Sequence, residues 1–161
     1  ADAAVGCAAM AFKKGDIDGS VKFFDEAINL ETDNAKKADN AYKAASVLAS
    51  AKKLSQARSY AQKAISFNEN FGAPYILIAQ LYAGNYKWND EPALNKCTFF
   101  AAIDKLQRAK AVDPSVAEEA NKLISSYSAY TPEAKDLFML GYKAGDRITI
   151  GGWIGETTTI R

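Results

Sequence analysis

Three stretches of the chain repeat one hydrophobic step. Ser20, Phe24 and Ala27 are spaced by four and then three residues, as are Ala57, Ala61 and Ala64, and again Ala102, Leu106 and Ala109. Each trio lies in a segment of helical period: "DGSVKFFDEAINL", "SQARSYAQKAISF" and "FFAAIDKLQRAKAV". Small side chains stand where leucine or isoleucine would bury more area, so another helix must approach closely there. A second amphipathic segment precedes each trio, at residues 1–14, 35–51 and 72–84, and polar turns such as "KKGDID" and "AKKLS" join the members of a pair. The chain therefore reads helix, turn, helix, three times over, with 37 positions from Ser20 to Ala57. Periods of about 20 to 50 residues belong to solenoids, in which each unit buries its apolar face against its neighbours.

These residues resemble the tetratricopeptide repeat (TPR), a helical hairpin of about 34 residues. At the family's preferred positions the first unit supplies Ala4, Cys7, Ala8, Ala11, Ser20, Phe24, Ala27 and Thr32. The second supplies Ala41, Ala44, Ala45, Leu48, Ala57, Ala61, Ala64 and Glu69; the third supplies Tyr75, Ile78, Ala79, Tyr82, Ala102, Leu106, Ala109 and Pro114. The two positions where the helices of a hairpin cross are small every time, as Ala8 and Ala27, Ala45 and Ala64, Ala79 and Ala109. The tryptophan often found early in the family's first helix is missing, and the closing proline occurs once. The resemblance covers residues 1–130. It implies an all-α fold: a right-handed superhelical array of about three TPR-like hairpins, in units 1–34, 35–71 and 72–114, with a capping helix at 115–130.

Tyr82 to Ala102 spans 20 positions where Ala11 to Ser20 spans 9, an excess of 11. Asn89 or Asp90 can cap a helix there, with Pro92 in its first turn. Leu94, Cys97, Phe100, Ile103 and Leu106 continue at steps of three. The excess therefore predicts one long second helix, 91–112, with residues 84–89 as an elbow. Further on, "TPEAKDLFML" predicts a short helix with Thr131 as N-cap and Gly141 as stop. The tail "GDRITIGGWIGETTTIR" is β-branched and predicts a short hairpin turning at Gly151–Gly152. Two strands alone are marginal in water, so the tail must dock on the helices or on another molecule. Residues 131–161 are thus a short helix and an extended tail packed on the array. The ending is similar to those of short bacterial repeat proteins that are exported. The chain starts inside a helical pattern with no leader, so more sequence upstream is expected, and periplasm or cell envelope is favoured over cytoplasm.

Composition narrows the chemistry. The 161 residues carry a net charge of +1 with both signs mixed, which argues against a nucleic-acid partner. No apolar run is long enough for a membrane span. There is no histidine, which removes the commonest general base and most catalytic zinc sites. No phosphate-binding glycine motif occurs. Cys7 and Cys97 are expected as buried free thiols, and the acidic clusters "NDE" and "DID" as caps and turns. No catalytic residue, cofactor or metal is expected.

The resemblance then implies where a partner would bind. In TPR proteins the first helix of each hairpin lines a concave groove. The matching residues are Asp2, Val5, Ala9, Phe12 and Lys13; Asp39, Tyr42, Ser46, Ala49 and Ser50; and Ala73, Ile76, Gln80, Ala83 and Gly84. Val5, Phe12, Tyr42 and Ile76 would form an apolar floor, Asp2 and Asp39 an acidic side, and Ser46 and Gln80 polar contacts. The clamp for chaperone tails is absent: its positions hold Val5, Ala9, Lys43, Ala73 and Leu77, with one cation among them. Outside the repeat pattern, Tyr86 and Trp88 are expected to cover the end of a hairpin or to anchor a partner, and Trp153 is a third candidate secondary contact. The expected function is a non-enzymatic scaffold that binds a peptide segment or protein partner through the groove. The other reading is a self-assembling structural or cell-envelope component, a homo-oligomer joined by its tail.

Overall fold

The computed structural model describes residues 1–161. Its helices are α1 (Asp2–Lys13), α2 (Ile17–Leu30), α3 (Asn34–Ser50), α4 (Leu54–Phe67), α5 (Ala73–Gly84), α6 (Pro92–Lys96), α7 (Thr98–Val112), α8 (Ala117–Ser128) and α9 (Ala134–Met139). A hairpin of β1 (Arg147–Thr149) and β2 (Thr157–Thr159) closes the chain. The chain divides into two compact units, residues 1–77 and 78–161, with the boundary inside α5.

In the first unit α1 pairs with α2 and α3 with α4. Asp16 and Asp33 supply the N-caps, accepting the N–H of Gly19 at 2.9 Å and of Ala35 at 2.8 Å. Gly15 turns α1 into α2 with φ +79°, a conformation that costs a residue with a Cβ. The repeated small residues are where the helices touch: Ala8, Ala27, Ala57, Ala61 and Ala64 are fully buried. Ser20 is buried as well, and its Oγ donates to the Ala8 carbonyl at 2.8 Å, so the hydroxyl links α2 to α1 without an unmet polar group. Large side chains fill the space beside these rows. Phe24 packs with Ala8, Ala44 and Val47, and Ile28 with Ala41 and Ala64. Tyr60 of α4 ties back to α2, its hydroxyl donating to Asp25 at 2.8 Å.

In the second unit the long helix expected over 91–112 is two helices, α6 and α7, separated at Cys97. The Cys97 backbone stays right-handed (φ −61°, ψ −22°), but the hydrogen bonds tighten to a three-residue step: Cys97 N–H to the Leu94 carbonyl, and Phe100 N–H to that of Cys97. The cap is Glu91, not Asn89 or Asp90. The Asn89 side chain instead accepts the Glu91 N–H at 2.9 Å. After a 3-10 turn at Pro114–Val116, α8 packs on α7 as the capping helix. Thr131 does not cap α9: its Oγ1 donates to the Ser128 carbonyl at 2.9 Å and so closes α8. Gly141 stops α9 as expected, with φ +91°.

The hairpin is antiparallel, with Arg147 opposite Thr159, Ile148 opposite Thr158 and Thr149 opposite Thr157. Its turn is not Gly151–Gly152. The Ile150 N–H meets the Glu156 carbonyl at 2.8 Å, and residues 151–155 form a wider loop. A two-residue turn would leave no room for Trp153 and the buried Ile154, which this loop carries inward.

Candidate functional site

The candidate residues of the first unit lie on α1 and α3. These helices share one apolar cluster, Val5 packing against Ala8, Phe24, Ala44 and Val47. Phe12 is 42% exposed, the largest apolar residue that α1 presents on this face. Tyr42 is half-buried, and its ring meets Phe71 edge-on at 5.4 Å. Ser46 donates to the Tyr42 carbonyl at 3.1 Å, one turn back in its own helix. Asp39 is exposed and pairs with Lys43 one turn on at 3.1 Å. On α5, Gln80 is exposed. Ile76 is not a groove residue: it is 4% exposed and belongs to the core, because α5 is apolar nearly all round and buries more than one face.

The three aromatics outside the repeat pattern are packing residues, not free anchors. Tyr86 is half-buried against Phe99 at 5.1 Å between ring centres. The Trp88 ring is held by its Nε1–H, which donates to the Leu94 carbonyl at 3.2 Å, and its backbone N–H by Asn95 at 2.8 Å. Trp153 meets Tyr82 edge-on at 5.5 Å. An amphipathic ring in a loop can serve core or partner equally well on sequence grounds. Here the turn of the tail and the elbow need all three as cover.

The tail docks on its own chain. Asp104 of α7 accepts Thr158 Oγ1 at 2.6 Å and pairs with Arg161, whose guanidinium lies 5.2 Å from the Phe100 ring centre. Lys105 pairs with Glu156 at 2.7 Å. Of the two thiols, Cys97 is buried as expected, and burial pushes it up to about 11, away from nucleophilic use at neutral pH. Cys7 is exposed, contrary to expectation, because α2 covers only one side of α1.

Sequence reasoning missed a cavity of about 460 Å³ in the second unit, walled by α9 and the last residues of the chain. A signal was present: "LFML" puts four apolar residues in a row on a helix too short to bury them all.

Two solved structures share this architecture. The TPR2B domain of yeast Sti1, in a pHsp70 complex, matches with a TM-score of 0.61 at 22% identity over 80% of this chain and 95% of that one. The first TPR of Spaghetti (RPAP3), bound to the HSP90 peptide SRMEEVD, matches at 0.58 and 16% identity over 79% of this chain and 91% of that one. The fold is that of the tetratricopeptide repeat. No protein-family model and no curated protein matches the chain. In the first unit the two hairpins are α1–α2 and α3–α4. The excess residues of the third TPR-like hairpin became elbow plus α6.

Proposed function

We propose that the chain is a non-catalytic protein–protein interaction scaffold, which holds a peptide segment or partner on the α1–α3 face. The observation that carries this reading is Phe12, an aromatic side chain left 42% exposed on a face whose helices are fixed by tight alanine contacts. A rigid face with an exposed aromatic suits partner binding, since little side-chain freedom is lost on association. The similar solved structures hold Hsp70- and HSP90-derived partners, which supports peptide binding by this fold. Their ligand chemistry does not transfer, because Lys43 is the one cation at the clamp positions. Support for a non-catalytic role comes from the likeness to TPR structures that hold peptide partners. Tail-mediated self-association has less support, since Tyr82, Asp104 and Lys105 of the same chain already engage Trp153, Arg161 and Glu156.

The test is affinity capture from an extract of the source cell with the full chain, Phe12→Ser and Asp39→Lys. Both substitutions sit on exposed positions, so the melting curve should be unchanged. The expected result is a protein captured by the full chain and lost with Phe12→Ser. Equal capture by all three chains sinks the reading.

A further inference from the structure

The face around α9 plays no part in the repeat reading. Leu137 is buried, but Phe138 and Met139 are 74% and 84% exposed, and Leu140 is exposed beside them. Contiguous apolar side chains in water mark an interaction site on a soluble protein. Phe138 and Met139 border the cavity of about 460 Å³, which has Leu137 and Ile160 as its floor. No buried polar group lies in that floor to orient a small polar ligand. The cavity exceeds the volume of one leucine or phenylalanine side chain.

Its charged side chains have one sign: Lys135, Lys143 and Arg161 line it, and no Asp or Glu side chain does. Arg161 is committed to Asp104 and Phe100. Lys135 pairs with the exposed Glu133 at 3.4 Å, and Lys143 with the half-buried Asp146, which takes its Nζ at 3.0 Å and its backbone N–H at 2.9 Å. The exposed Lys135–Glu133 pair contributes little and exchanges readily.

We propose that this cavity docks an acidic amphipathic segment of another protein. The segment sets more than one large apolar side chain over Leu137 and Ile160 and its carboxylates against Lys135 and Lys143. The exposed Met139 thioether adapts to the shape of such an insert, and the mode is that of a helix laid into an apolar groove. A flat anionic membrane fits less well. It would meet the exposed Glu133 and Asp136 along with the lysines, whereas no Asp or Glu side chain lines the cavity.

The test uses the full chain and two fluorescein-labelled libraries of amphipathic helical peptides. Both carry Leu, Phe or Trp along one face; one has Asp and Glu on the other face, the second Lys and Arg. In fluorescence anisotropy the acidic library should bind about tenfold more tightly, with the gap closing as salt rises. Phe138→Ser and Met139→Ser should each weaken that binding about tenfold with an unchanged melting curve, as both sites are exposed. Phe12→Ser should leave it unchanged, which separates this site from the α1–α3 face. Equal binding of the two libraries, or no binding of either at about millimolar concentration, overturns the proposal. So does capture by phosphatidylglycerol vesicles of a chain that binds neither library.

Discussion

Asn95 and Asn89 hold the elbow of the second unit by a reciprocal pair of hydrogen bonds. The Asn95 Oδ1 accepts the Asn89 N–H at 2.7 Å, and its Nδ2 donates to the Asn89 carbonyl at 2.7 Å. The same oxygen takes the Trp88 N–H at 2.8 Å. One side chain, 8% exposed, thus satisfies three backbone groups of an irregular segment, as a neighbouring strand would.

Replacing Asn95 by Ala leaves those three part-buried groups without this partner. Leaving buried donors and acceptors unmet costs about 1–3 kcal/mol. Urea unfolding of Asn95→Ala should show a loss in that range. A loss within measurement error would mean that the elbow does not need the amide.

Gly151 sits against the ring that this elbow positions. A Cβ there would lie 2.7 Å from Trp88 Cε3, and the ring cannot swing away without breaking its Nε1–H bond to the Leu94 carbonyl. Overpacking of this kind costs about 1–3 kcal/mol. Gly151→Ala should lower stability by that amount and alter tryptophan fluorescence. Gly84→Ala, which meets nothing within 4 Å, is the control and should do neither.

Asp104 joins β2 and the chain's last residue to α7. Asp104→Ala leaves Thr158 and Arg161 without that partner, so the hairpin should open more often. Amide hydrogen exchange at 147–149 and 157–159 should speed up at least about tenfold, while α1 to α4 keep their protection. Uniform acceleration through both units would show instead that the tail opens only with global unfolding.

The buried Cys97 thiol makes stability depend on alkaline pH. Below 9.0 the thiol is protonated in the folded and unfolded chain alike. Between 9.0 and about 11 the unfolded chain loses this proton and the folded chain keeps it, so stability falls as pH rises through that window. Urea midpoints compared at about pH 8 and about pH 9.8 should drop less for Cys97→Ala than for the parent chain. Tyr60 and Tyr127 are also held above their usual values, Tyr60 by burial and then by Asp25, Tyr127 by burial, and both add a loss at still higher pH. An equal drop in the two chains would mean that the Cys97 thiol is not the cause.

The site was less legible than the fold. Val5, Phe12 and Tyr42 fall on α1 and α3 at the positions that the repeat pattern names, Val5 and Tyr42 half-buried and Phe12 exposed. Ile76 has the same pattern position, yet α5 buries it. A periodicity marks the face on which a residue stands, but not how many faces the neighbours cover. The aromatics Tyr86, Trp88 and Trp153 were ambiguous for a related reason. They belong to segments without period, and only the contacts with Phe99, Leu94 and Tyr82 decide their use.

The sequence by itself determined the hairpins. The four-then-three spacing of small and apolar residues sets which helix sides meet, and alanine at the crossing points admits only close approach. Asp16, Asp33 and Gly15 mark ends that follow from local backbone chemistry. What the tertiary structure decided lies where several local partners compete and packing selects one. The break at Cys97, the cap at Glu91, the closing of α8 by Thr131 and the wide tail loop around Trp153 each depend on which donor, acceptor or ring is nearest once the helices have packed. Local pattern ranks the conformations of a segment, and long-range contacts choose among those of nearly equal energy.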